Sequence, residues 1–134
     1  MPADAERIAA LASQLGYPVP VAWIAEVLQR ETDVCAVLVA VVPRAGVVGW
    51  AAVSRQSSLL RSDFVELEGL IVEDEYRGHR IGERLVQAAQ GWARRRSCST
   101  MVVRSNVIRE RARRFYLRLG FDVIKAQNVF ESRL

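Results

Sequence analysis

Little in this sequence of 134 residues lends itself to cross-linking, metal binding or membrane insertion. Its two cysteines, Cys35 and Cys98, lie in strand-like stretches without metal-ligand spacing and read as small buried hydrophobes. The only histidine, His79, has basic neighbours and reads as an exposed loop residue, so no metal is expected. The longest apolar run, residues 34–42, is stopped by Pro43 and Arg44, far short of the roughly 20 residues a membrane span needs. No basic segment followed by an apolar stretch opens the chain. Asp4 and Glu6 stand there in an Ala-rich helical pattern, so the cytoplasm is the expected location. Lysine is almost missing as well. The excess of 19 basic over 15 acidic residues is carried by arginine, at Arg77, Arg80 and Arg84, at Arg94 to Arg96, and from Arg104 to Arg118. Such a field favours anions, and both nucleic acid and a phosphate-rich cofactor answer to it.

What the chain does have is apolar content, 51% of its residues, enough for one core without disulfides or a metal. Linkers, repeats and low-complexity tracts are lacking, so a single domain over 1–134 is expected. Ile8, Leu11, Ala12 and Leu15 recur at helical spacing before Gly16, and Trp23, Ile24, Val27 and Leu28 do so over 21–30. Residues 35–42 and 47–54 flank a turn at 43–46 and read as an antiparallel hairpin; 57–62 is a polar loop. A third strand over 64–72 puts Glu66 and Glu68 on one face. The apolar stripe Ile81, Leu85, Ala88, Ala89 and Trp92 marks a helix over 81–96, and a short strand is expected at 100–104. Another helix runs from about 110 to 119 with Gly120 at its C-cap, and 121–125 and 128–132 are expected as two closing strands. The order gives an α/β fold with a mixed sheet and helices on its faces.

Between the third strand and the clearest helix lies Glu73-Asp74-Glu75-Tyr76-Arg77-Gly78-His79-Arg80-Ile81-Gly82. A strand that turns into a helix start presents backbone N–H groups at the positive end of a dipole, and nearby glycines let a phosphate approach. With Arg77, Arg80 and Arg84 around it, the site suits a di- or polyphosphate. It is neither the dinucleotide fingerprint nor a P-loop, because neither glycine spacing is present.

This stretch resembles the Arg/Gln-x-x-Gly-x-Gly/Ala signature of the Gcn5-related N-acetyltransferase (GNAT) superfamily. The later stretch Ala112-Arg113-Arg114-Phe115-Tyr116-Leu117-Arg118-Leu119-Gly120-Phe121 is similar to that superfamily's Ala-x-x-Phe-Tyr-x-x-Leu-Gly-Phe block, in the right order. The resemblance runs from Ala5 to the C-terminus. It departs from the pattern at Arg80, where glycine is usual, and at the start, where the usual first strand is expected to be short or missing. Arg109 also replaces the Asn often found before the second block, while Asn106 lies three residues earlier.

The resemblance implies a GNAT-like, mainly antiparallel central sheet with helices on both faces. It implies acetyl-CoA as cosubstrate, an amine-bearing acceptor and direct attack in a ternary complex. Leu70, Ile71 and Val72 would pair with the pantetheine arm, with the N–H of Ile71 or Val72 as oxyanion donor. Arg77, Gly78, His79, Arg80, Ile81 and Gly82 would cradle the pyrophosphate, with a cofactor role for Asn106. Glu66 or Glu68 would serve as base, and Tyr116 as the acid that protonates the departing thiolate. The helix pair carrying Tyr17 and Trp23 would line the acceptor pocket, and a homodimer is compatible with the resemblance. Other acyl-CoA donors remain open, as do a coenzyme A-binding regulatory protein and a basic nucleic-acid-binding module. Against the last, Phe115, Tyr116 and Phe121 look committed to core or site.

Overall fold

Two β-branched stretches joined by a tight turn form the hairpin around which the first unit is built, in a computed structural model that describes residues 4–14, 19–29, 33–105 and 109–134. The chain forms two compact units, Met1–Val103 and Arg104–Leu134. In the first, β1 (Cys35–Val42) and β2 (Gly46–Gln56) pair antiparallel from Cys35 opposite Ser54 to Val42 opposite Gly46. The turn between them needs two positive φ values, at Arg44 and at Gly46, and only the glycine takes one without strain. β3 (Phe64–Val72) pairs antiparallel with β2, and β4 (Met101–Val103) adds parallel to β3, giving the order β1-β2-β3-β4.

Helices cover both faces of this sheet. On one face lie α1 (Ala5–Gln14) and α2 (Val21–Gln29). Leu11 and Ala12 of α1 meet Val47 and Ile71 of the sheet, Ala5 and Ile8 meet Leu28 of α2, and Trp50 packs against both groups. On the other face α3 (Ile81–Arg95) buries Leu85, Val86, Ala89, Trp92 and Ala93; of the expected stripe Leu85, Ala89 and Trp92 are buried, whereas Ile81 is half-buried and Ala88 is exposed. Gly49 allows that approach: a Cβ there would stand 3.2 Å from Leu85 Cδ1 and 2.9 Å from the Ile71 carbonyl oxygen.

α3 ends in a Schellman motif. Cys98 N–H reaches Ala93 O and Ser97 N–H reaches Arg94 O, with Ser97 at φ 60° in the place usually held by glycine. The second unit holds α4 (Glu110–Arg118), whose residues Ala112, Phe115 and Tyr116, with Leu119 at its C-cap, form its half-buried side. It closes on the same motif, with Gly120 at φ 94° and Phe121 N–H bonded to Tyr116 O, as the sequence predicts for Gly120.

The expected elements agree with the observed ones to within a residue or two, except at the C-terminus. There 121–125 and 128–132 form no strands: residues 121–134 carry no regular secondary structure, and Val129 and Phe130 are 83% and 89% exposed. Their β-branched and aromatic composition satisfies local preference, but a strand exists only when a neighbouring strand accepts its hydrogen bonds, and two strands alone are marginal. The expected C-cap at Gly16 and the residues Tyr17 and Asn106 lie outside the described residues. α1 is the first described α-helix, and no strand precedes it among the described residues.

Candidate active site

The site grows out of an irregularity in β3. Ala52 stands opposite Gly69 and Val53 opposite Leu67, so Glu68 is an extra residue and the strand bulges there. Before the bulge, Val65 to Leu67 pair with Met101 to Val103. Beyond it β4 has ended, and among the described residues no strand pairs with Leu70, Ile71 and Val72 on that side.

Which backbone groups face the gap follows from the ladder. Glu73 N–H bonds to Val48 O of β2, so alternation also directs Ile71 toward β2, and the N–H and C=O groups of Leu70 and Val72 toward the open side. A row of unpaired, ordered amides results, able to add one extended chain edge-on.

β3 leads through Glu73 and a 3₁₀ turn at Asp74–Tyr76 into the arginine-rich loop. Arg7 of α1 anchors this exit, donating from Nε to Val47 O at 2.9 Å and pairing with the Glu73 carboxylate. Gly78 follows at φ 86°. Arg80 is the N-cap of α3 at φ 60°, a left-handed conformation, and its side chain makes no capping hydrogen bond. The first intrahelical bond of this end runs from Arg84 N–H to Arg80 O, so the amides of Ile81, Gly82 and Glu83 are unclaimed by the helix itself. Amides at the positive end of a fifteen-residue helix, with Arg77, Arg80 and Arg84 exposed around them, have the chemistry that suits an anion. Arg77 is already engaged with Asp74 at 3.0 Å, whereas His79 stands near Tyr76 with ring centroids 6.4 Å apart.

The two glutamates share a face with α1 and α2. Ser54 donates from Oγ to Glu68 Oε1 at 2.9 Å and accepts from Gln56 Nε2 at 2.8 Å. It lies two alternations from Trp50, which packs on those helices. Glu66 stands opposite Ser54. Glu66 therefore precedes the bulge and Glu68 forms it, while the unpaired amides lie at the end of β3 that follows it. Ser54, Gln56 and Arg7 are contributors that sequence reasoning missed. Gly69 within a strand pattern was the available sign of a bulge.

Within the second unit, Tyr116 is held edge-on by Phe115 at 5.1 Å and by Phe121 at 5.4 Å between ring centroids. Burial pushes its hydroxyl up to about 12, so it keeps its proton well beyond neutral pH. The described residues contain no group of three His, Cys, Asp or Glu side chains able to hold a metal. None of their helices is long and apolar enough to cross a membrane.

Comparison with known proteins agrees with this geometry. Residues 7–121 match the model of the Acetyltransferase (GNAT) family, and the chain belongs to that family. By class it is an acetyl-CoA-dependent N-acetyltransferase. Among solved structures it is similar to the aminoglycoside antibiotic 6′-N-acetyltransferase AAC(6′)-Ih from Acinetobacter baumannii, at 19% identity and a TM-score of 0.86 over 100% of this chain and 95% of that one. AAC(6′)-Iy, solved with the bisubstrate analogue CoA-S-monomethyl-acetylneamine, is 21% identical with a TM-score of 0.85 over 98% and 93%. An acetyltransferase from Trypanosoma brucei is 23% identical with a TM-score of 0.80 over 98% and 95%. At these identities the likeness is one of fold. No curated protein matches the sequence.

The residues present fit coenzyme A. The open edge of β3 offers alternating amide donors and acceptors that suit an amide-bearing arm, and the strand's exit leads through the arginine-rich loop to the unclaimed amides at the start of α3, which suit a pyrophosphate.

Proposed function

We propose that this chain transfers an acetyl group from acetyl-CoA to a primary amine, on a small molecule or a protein, by direct attack while both substrates are bound. The observation that carries the reading is the unpaired edge of β3 beyond its bulge, continuous with an uncapped helix start. The amides of Ile81 and Gly82, with Arg77, Gly78, His79 and Arg80, hold the pyrophosphate, and Leu70 and Val72 hold the pantetheine arm. Of the two oxyanion donors the sequence offered, Val72 is the one whose N–H faces the open side, and it polarises the thioester carbonyl.

An amine with a lysine-like pKa near 10.4 needs roughly 4 to 5 kcal/mol to be neutral at pH 7. Glu66 or Glu68 removes the proton, directly or through water. Tyr116 is assigned the return of a proton to the coenzyme A thiolate from its place in the second motif block, and a hydroxyl that stays protonated suits a donor. The aminoglycoside enzymes among the fold relatives put polycationic amines among the acceptors to be tried.

The test is release of free coenzyme A thiol from acetyl-CoA across a panel of aminoglycosides, polyamines, amino acids and peptides. At least one amine is expected to raise the rate above hydrolysis. A folded, coenzyme A-binding sample that acetylates none of them overturns the transfer.

A further inference from the structure

We infer that Leu59 and Leu60, at the tip of the β2–β3 hairpin, are a docking contact for the acceptor, and that the acceptor amine is carried by a polypeptide with apolar side chains beside it. The amine half of this inference rests on the acyl-transfer reading; the apolar half rests on the loop.

The two leucines are adjacent and, at 104% and 94%, fully exposed. The loop holding them is anchored. Arg55 grips Asp63 Oδ2 with both Nε and Nη2, at 3.1 and 3.0 Å, across its base. Arg61 stacks its guanidinium 4.1 Å from the centre of the Phe64 ring, and Leu60 N–H bonds to Ser58 Oγ at 3.0 Å. Phe64, at the foot of the loop, is buried while the leucines are not. An anchored turn that leaves two large apolar side chains in water gives up the burial that each could gain, and an adjacent pair differs from a lone surface leucine.

Position ties the tip to the site. Gln56 and Phe64 are the last rung of the β2–β3 ladder, and Ser54 opposite Glu66 is two residues further on, about 7 Å along the strand. The hairpin end with the leucines is thus the carboxylate end of β3, away from the loop that receives the pyrophosphate. An amine cation drawn to Glu66 and Glu68 has its remaining bulk beside this tip. A small polar amine is held inside a concavity and gains nothing from leucines projecting from a turn. A peptide is long enough to place its amine at the carboxylates and an apolar side chain on the loop. Nucleic acid is disfavoured by the carboxylates and by the engagement of Arg55 and Arg61 within the loop.

The experiment compares peptides whose amine is flanked by Leu and Phe with peptides flanked by Gly and Ser, on the wild type and on Leu59→Ser/Leu60→Ser. The wild type should prefer the apolar-flanked peptides by about tenfold or more in kcat/KM, mainly through KM. The double variant should lose that preference while keeping its coenzyme A thermal shift and its rate with the Gly/Ser-flanked peptides. In parallel, fluorescence anisotropy with a labelled apolar-flanked peptide reads docking without turnover. Equal use of both peptide sets, peptide binding indifferent to the leucines, or turnover confined to small polycations overturns the inference. So does leucine-dependent co-sedimentation with phosphatidylserine/phosphatidylcholine vesicles in place of peptide binding, which would make the tip a membrane contact. An absent coenzyme A shift is a separate result: it removes the acyl-transfer reading and leaves the anisotropy to decide the docking surface.

Discussion

Arg80 occupies a backbone conformation that an L side chain adopts at a cost of roughly 1–2 kcal/mol, at the position where the signature this loop resembles has glycine. Arg80→Gly should therefore raise stability by about 1 kcal/mol, read as a higher urea midpoint at unchanged slope. If the guanidinium serves the phosphates, the same variant binds coenzyme A more weakly while being more stable. Those opposite signs separate a binding role from an accident of sequence. Tyr116 gives a second residue-level expectation. Its pKa is raised to about 12 from an unfolded value near 10, so between those values the native state holds a proton that the unfolded state has released. Stability should fall as pH rises from about 10 to 12, by at most 2–3 kcal/mol from this group, and Tyr116→Phe should remove that part of the fall. At neutral pH the same variant should slow single-turnover acetyl transfer by roughly 10²- to 10⁴-fold, with acetyl-CoA binding nearly unchanged.

Two glycines set how closely layers meet the strands. A Cβ on Gly69 would lie 3.0 and 3.1 Å from ring atoms of Trp50, whereas one on Gly49 would lie 2.9 Å from the Ile71 carbonyl oxygen. A ring can tilt by a few tenths of an ångström, but a carbonyl in a ladder moves only with its strand. Gly49→Ala should thus cost more than Gly69→Ala, about 1–3 kcal/mol against 1 or less, measured by chemical denaturation.

The same elements show what was legible beforehand. The burial of Leu85, Ala89 and Trp92 and the cap at Gly120 were readable because spacing and a residue's own backbone preference determine them. The Ser97 cap was not, since serine has no special claim on a left-handed position. Nor was the hydrogen bond from Ser54 to Glu68, because it depends on a one-residue register shift between strands. The tail at 121–134 misled for the converse reason: its composition suits strands, but pairing is a property of two segments.

For the molecule as a whole, the loop and the second motif block pointed to coenzyme A before any coordinates, because phosphate recognition is written in short contiguous sequence. The acceptor is read by side chains drawn from several elements, and no local pattern encodes it. If the anion site is correctly assigned, coenzyme A at a hundredfold excess over its Kd should stabilise the protein by about 2.7 kcal/mol, a shift of several degrees in Tm. Gly82→Trp should abolish the shift by filling the approach to the first amides of α3. A folded wild-type sample without a shift at millimolar coenzyme A would contradict the assignment.

Trp50 has its indole nitrogen buried without a hydrogen-bond partner among the described residues, and its ring rests on Gly69 beside the β3 bulge. Trp92 is buried on the opposite side of the sheet with the Arg96 guanidinium 3.9 Å from its ring, and Trp23 is about half exposed. The three indoles therefore sit in a partly buried apolar, a buried cation-stacked and a half-exposed environment, and their emission spectra should differ accordingly. Trp50 is the indole that leans on the strand proposed to meet the thioester. Trp50 is thereby an intrinsic optical reporter: subtracting the spectrum of Trp50→Phe isolates a signal that follows substrate entry at β3 without any label.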